Sequence, residues 1–169
     1  MLIDRLPRPF LDEMRTLLGE SEYERYLAAM EEMPLSGLRV NSLKISNERL
    51  LAAFGNLDPV LWTSNGFYCE TGGEYTSHPY YYAGLYYMQE PSAMSSAALL
   101  GAEPGEHILD LCAAPGGKST QIAADLRGEG FLLSNDLSAS RARALLKNIE
   151  LMGIGNCCIS CEDSERLKR

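Results

Sequence analysis

The chain has 169 residues, 46% of them hydrophobic, and a formal net charge of −8 at pH 7. That length suits one domain with a small appendage, and the acidic balance excludes a protein that holds nucleic acid by bulk electrostatics, which needs clustered Lys and Arg. Five cysteines, no apolar leader at Met1 and no apolar run of membrane-spanning length set the expectation of a reduced, cytoplasmic monomer with no membrane contact.

Pro9 to Leu18 carries apolar residues at helical spacing and stops at Gly19. Ser21 and Glu24 then form a capping-box pattern ahead of Tyr23, Tyr26, Leu27 and Met30, so a helical hairpin opens the chain. Leu38 to Ile45 alternates apolar and polar residues, which predicts a half-buried strand whose polar side, with Arg39, Asn41 and Lys44, makes a basic face. A helix over Asn47 to Phe54 and short strands at Val60 to Trp62 and Gly66 to Cys69 complete a small α+β unit over residues 1–75. Between Tyr80 and Tyr87 stand five tyrosines, read as the lining of a domain seam, with base stacking as the other use of such flat, half-polar rings.

Residues 76–169 read differently. Pro91 opens a helix that runs to Gly101, and Ile108 to Leu111 is an apolar strand with one carboxylate, Asp110, near its carboxyl end. Small residues follow at Ala113, Ala114, Gly116 and Gly117, where a ligand could approach the backbone, and a helix begins at Ser119 with its free N–H groups facing the loop. Phe131 to Ser134, Ser138 to Met152 and Cys157 to Ser160 continue as strand, helix and strand. This order predicts an α/β fold with a doubly wound, Rossmann-like parallel sheet. With only His78 and His107 and no second cysteine pair, Cys157, Cys158 and Cys161 are read as small buried strand residues, and no metal is expected.

Three ligands compete for the loop. A dinucleotide turn wants Gly-x-Gly-x-x-Gly, which is missing; a phosphate loop wants Gly-x-x-x-x-Gly-Lys-Ser/Thr, and here Gly117-Lys118-Ser119 is present but Cys112 replaces the first glycine. S-adenosyl-L-methionine is the third. An acid ending the second strand, Asp136, suits a ribose diol because a carboxylate accepts two hydrogen bonds, and Asp163 past the third strand could accept from the adenine amino group. The alternative for Asp136 is an ordinary cap for the following helix.

Asp110-Leu-Cys-Ala-Ala-Pro-Gly-Gly-Lys118, preceded by Gln89-Glu-Pro-Ser-Ala-Met94, closely resembles the Nop/Sun family of S-adenosylmethionine-dependent RNA cytosine-C5 methyltransferases. Gly37-Leu-Arg-Val-Asn41, His78-Pro-Tyr-Tyr and Ala83-Gly-Leu-Tyr-Tyr87 look like its bacterial branch, which methylates 16S ribosomal RNA. The resemblance implies a class I methyltransferase sheet, cut short, after a small N-terminal RNA-docking domain. It implies that Cys112, Ala113, Ala114, Pro115, Gly116, Gly117 and Lys118 line the cofactor, Asp136 holds the ribose, Arg141 supports the site and Asp163 faces the adenine.

In that family two cysteines beyond the third strand do the chemistry, one adding to C6 of cytosine and the other helping to release the product. Cys112 belongs to the cofactor loop, so the nucleophile is expected past Arg169, and the chain reads as the N-terminal part of an enzyme, inactive alone. The alternatives are a catalytically silent module that binds cofactor or RNA, and a nucleotide-binding domain of the phosphate-loop kind.

Overall fold

Gly19 breaks the first helical stretch where the apolar spacing stops. In a computed structural model, which describes residues 3–168, α1 (Arg8–Glu31) runs on both sides of this glycine, whose φ of 73° and ψ of 165° are not helical. The Ile3 amide donates to Glu31 Oε1 at 3.3 Å, so the chain doubles back as the hairpin reading expects. Across the break the Arg15 guanidinium stands 4.8 Å from the centre of the Tyr23 ring. This helical unit ends at Pro34, and a second compact unit begins at Leu35.

The second unit holds two sheets. β1 (Ser36–Val40) is the middle strand of an antiparallel sheet in the order β2-β1-β3, with β2 (Gly66–Cys69) and β3 (Tyr86–Met88). Leu38 is paired with Phe67 on one side and Met88 on the other. Leu38, Val40, Phe67 and Tyr86 form its core with Leu50 of α2 (Asn47–Phe54). The cap of α2 is Ser46, whose Oγ accepts from the Arg49 amide, and not Asn47.

Three sequence expectations change here. The strand ends at Val40 because Asn41 starts a turn, its carbonyl accepting from the Lys44 amide at 2.9 Å. Val60 to Trp62 is no strand: only Pro59 bridges to Phe67, and the chain turns directly afterwards, with the Thr63 amide donating to the Val60 carbonyl. Most consequential, two of the three residues of the expected basic face are turned inward, while Lys44 stays exposed. Arg39 and Asn41 are 0% and 1% exposed. Alternation had given the right pleat, but both faces of this strand are covered, so the polar side meets protein.

What covers it is the pair of helices that join the strands of the second sheet: Arg39 bonds to Gly117 and Thr120, and Asn41 to Met152. β4 (His107–Asp110), β5 (Phe131–Asn135) and β6 (Cys157–Ser160) are parallel and lie in that order; α4 (Ser95–Leu100) precedes them, and α5 (Gly117–Asp125) and α6 (Ala139–Met152) join them. The α/β, Rossmann-like fold is as expected, with both crossovers stepping the same way. The doubly wound pattern is thus present as one winding, and β4 is an edge strand among the described residues. Asn41 Nδ2 donates to the carbonyls of Gly84, at 2.8 Å, and Met152, at 2.9 Å. Lys44 Nζ donates to those of Ala83, at 2.9 Å, and Leu151, at 2.7 Å. These donors satisfy carbonyls that the end of α6 leaves without a partner inside the helix. The tyrosine segment, with α3 (Pro79–Tyr82), therefore passes against the end of α6 as a seam, and Tyr86 is buried in the core. The division expected at residues 75 and 76 falls between β2 and β3 of the one antiparallel sheet.

Candidate functional site

The carboxyl ends of β4, β5 and β6 are stitched together by buried polar side chains. At the end of β4, Asp110 Oδ1 accepts from the Cys112 amide at 3.3 Å and Oδ2 from Ser119 Oγ at 2.8 Å. Ser134 of β5 donates to Ser119 at 2.9 Å, and the Cys157 thiol of β6 donates to Ser134 at 3.4 Å. Asn135 closes the other side. Its Nδ2 donates to the carbonyls of Leu111, at 3.3 Å, and Glu162, at 2.9 Å, while Oδ1 accepts from Ser160 Oγ and the Glu162 amide. One amide side chain thereby fixes where all three strands end.

The loop from Cys112 to Lys118 has an inner and an outer side. Ala113 and Ala114 are buried against Leu145 and Ile149. Gly116 has φ of 117°, and a Cβ there would stand 3.1 Å from Leu145 Cδ1; a Cβ on Gly117 would stand 3.3 Å from the Gln89 amide. Protein packing thus favours the small residues, a reason that stands beside the ligand approach their size suggested. Cys112 and Pro115 are exposed and Lys118 is half-buried.

Asp136 is 2% exposed. Its Oδ1 accepts from the Ser138 amide at 3.0 Å, and its Oδ2 accepts from the Ala114 amide at 3.3 Å and pairs with Arg141 Nη1 at 3.3 Å. The cap residue of α6 is Ser138, with no side-chain cap bond, so Asp136 is not the cap; its carboxylate ties the residue before the helix to the loop. Arg141 Nη2 also donates to the Ala114 carbonyl at 2.7 Å. Asp163 is exposed, with Oδ1 accepting from the Glu165 amide at 2.8 Å.

A cavity of about 310 Å³ opens at these strand ends, lined by Cys112, Asp136, Arg141 and Asp163 together with Leu111, Asn135, Leu137, Glu162 and Ser164. Four of the ten residues expected at the site therefore meet in one place. Lys118 instead lines a separate depression of about 210 Å³ beside β4 with Leu109 and Ile122. A larger depression, about 710 Å³, lies at the other end of α5 among Glu48, Glu103, Asp125 and Arg127 and contains none of the expected residues. Burial holds the Asp125 carboxyl above its usual range.

Sequence reasoning missed Asn135, Glu162 and the buried serines. The signal available was an amide directly before the acid at a strand end. It also placed Cys158 and Cys161 inside, whereas both are exposed, because β6 is an edge strand among the described residues and Cys161 lies past its end. Burial pushes the thiols of Cys69 and Cys157 up from the ordinary range. Among the described residues no cluster of three or more His, Cys, Asp or Glu is arranged to hold a metal ion, and no helix is long and apolar enough to cross a membrane.

Residues 6–91 match the family model described as the N-terminal domain of 16S rRNA methyltransferase RsmF, and residues 97–169 match that described as 16S rRNA methyltransferase RsmB/F. The ribosomal RNA small subunit methyltransferase F of Vibrio campbellii is 37% identical over 168 residues, and that of Citrobacter koseri 39% over 165. These alignments take in 92% and 91% of this chain and 34% of each relative, so the chain spans about a third of the length of the curated relatives it matches. A methyltransferase homolog protein from Pyrococcus horikoshii has a TM-score of 0.78 at 30% identity, covering 96% of this chain and 59% of that one. NSun6 from Pyrococcus horikoshii, crystallised with SFG, has a TM-score of 0.83 at 19% identity, covering 96% and 67%, a likeness of fold.

Proposed function

The chain belongs to the RsmB/F family of 16S rRNA methyltransferases, and from that premise we propose that it carries the cofactor-binding part of an S-adenosyl-L-methionine-dependent enzyme that methylates C5 of cytosine in small-subunit ribosomal RNA. The observation that carries the reading is the cavity at the ends of three parallel strands, where Cys112, Asp136, Arg141 and Asp163 converge. Residues 76–169 would hold the cofactor, residues 1–75 would dock the RNA, and the chain would act as a cytoplasmic monomer.

The residues present fit that cofactor. A carboxylate offers about four acceptor positions; Asp136 Oδ2 already serves two donors and Oδ1 one, which leaves Oδ1 open to a ribose hydroxyl. Asp163 keeps Oδ2 for the adenine amino group, and Leu111 and Leu137 supply apolar walls. The loop from Cys112 through Ala113, Ala114, Pro115, Gly116 and Gly117 to Lys118 would face the methionine part, with Arg141 holding the loop. The bound cofactor supplies an electrophilic sulfonium methyl. We assign the nucleophile for C6 to none of the five cysteines: Cys69 lies in the antiparallel sheet, Cys112 in the loop and Cys157, Cys158 and Cys161 on or just past β6.

The phosphate-loop reading loses its support in the same geometry. Its hydroxyl must face a metal-bound phosphate, whereas Ser119 is 0% exposed and donates inward to Asp110. Calorimetry on the purified chain tests the choice. S-adenosylmethionine or its demethylated product is expected to bind more tightly than ATP with magnesium; the reverse order would overturn the methyltransferase reading.

A further inference from the structure

Arg39 is a wholly buried cation, 0% exposed, near the middle of β1. Its Nε donates to Gln89 Oε1 at 2.9 Å, and its Nη2 donates to Thr120 Oγ1 at 2.6 Å and to the carbonyl of Gly117 at 3.2 Å. Thr120 Oγ1 donates to that same carbonyl at 3.2 Å. Among the described residues no carboxylate lies within ion-pair distance of Arg39, and its Nη1 has no hydrogen-bond partner. The charge of Asp125 and the ring of Tyr87, whose centre is 5.8 Å from the guanidinium carbon, offset the burial only in part.

Such a group is costly to the fold. A buried charge without a paired counter-ion loses its hydration, and an apolar side chain of similar volume often serves stability as well or better. What the guanidinium does that an apolar group could not is grip the loop. Gly117 is both a residue of the ligand loop and the first residue of α5. Because the peptide unit is planar, fixing the Gly117 carbonyl also fixes the Lys118 N–H on its opposite side, at the end of the helix whose first amides have no acceptor within it. A fixed cation behind this turn adds to the positive potential that the helix start presents to an anion.

We propose that Arg39 is a positioning residue for the cofactor loop: from the antiparallel sheet it holds the first peptide of α5 so that its free amides face the methionine carboxylate of the cofactor. This rests on the S-adenosylmethionine reading above. Gln89 supports it by orienting Nε, and Thr120 by relaying Nη2 to the same carbonyl.

The test is Arg39→Met in the full chain, read by calorimetry with S-adenosylmethionine, by urea unfolding, and by amide hydrogen exchange over residues 112–120. The expected result is affinity at least about tenfold weaker, the loss that one charge-assisted hydrogen bond carries, in a variant that still unfolds cooperatively, with a midpoint lowered by Gln89 Oε1 left without its donor. Arg39→Lys, which keeps a donor but not the fork, is expected to recover part of the affinity. Thr120→Val removes the relay without touching the cation, so it serves if Arg39→Met does not fold, and it too should weaken binding. Affinity within twofold of the wild type in a folded Arg39→Met or Thr120→Val variant overturns the proposal. Should the wild-type chain bind no S-adenosylmethionine, the functional reading fails by itself. The exchange measurement then decides on the loop: faster exchange at Lys118 to Thr120 in the variant supports the positioning role, and unchanged exchange ends it.

Discussion

Arg141 Nη1 lies 3.3 Å from Asp136 Oδ2, a guanidinium 58% exposed set on a carboxylate 3% exposed. The pair is asymmetric in what it costs to break. Truncating Asp136 to Ala leaves the amides of Ala114 and Ser138 without their acceptor in a buried place, so we expect stability to fall by about 2 kcal/mol and cofactor affinity to fall with it. Arg141→Ala removes an exposed partner, and its effect on stability should stay below about 1 kcal/mol and shrink with salt. Urea unfolding of both variants at two salt concentrations checks this. Equal losses for the two would mean that the carboxylate is not the clamp.

Two glycines with similar φ should respond differently to alanine. At Gly84, φ is 66° and an added Cβ would lie 2.1 Å from the Leu151 carbonyl oxygen; at Gly19, φ is 73° and nothing stands within 4 Å. Gly19→Ala should cost only the backbone strain of a φ of 73° with a ψ of 165°, a region that suits glycine alone, about 2 kcal/mol. Gly84→Ala adds a collision with the end of α6, and we expect a loss of about 3 kcal/mol or more. Thermal unfolding distinguishes them, and a mild Gly84→Ala would show that the tyrosine segment can move off that helix.

The cysteines should sort by exposure. Cys112, Cys158 and Cys161 are exposed, while Cys69 is buried, Cys157 half-buried, and the thiols of both are pushed up by burial. Thiolate is the reactive form, so iodoacetamide at pH 8 should label the first three well before the other two. Raising the pH should speed Cys69 and Cys157, whose buried thiols ionise only above the ordinary thiol range. Peptide mass mapping over time gives the order. Labelling of Cys157 as fast as Cys158 would contradict the thiol's bond to Ser134.

Much of the fold was legible because each strand and helix from Ile108 onward carries its own signal: an apolar run, a glycine stop, a helical stripe ending at Gly153. Cys157 to Ser160 is observed as expected, and the other parallel strands begin or end within one residue of the expectation. Arg39 and Asn41 misled because alternation reports which side a residue faces and says nothing of what covers that side. Val60 to Trp62 misled because β propensity cannot see the turn at Thr63 or the bond from Trp62 Nε1 to the Pro91 carbonyl, 2.9 Å long. At the site, Asp136 was visible as an acid at a strand end, whereas the work of Asn135 depends on three strand ends that only folding brings together.

The division of the loop into an inner and an outer side bears on how such a chain would age under mutation. Ala113, Ala114, Gly116 and Gly117 are held by Leu145, Ile149 and Gln89, so a copy that no longer bound any ligand would still need them in order to fold. Cys112 and Lys118 have no comparable obligation. In a lineage that had lost the activity, drift would begin at those two positions while the Ala-Ala and Gly-Gly pairs stayed unchanged. The pairs record the architecture, and the outward residues beside them record whether the site is still in use.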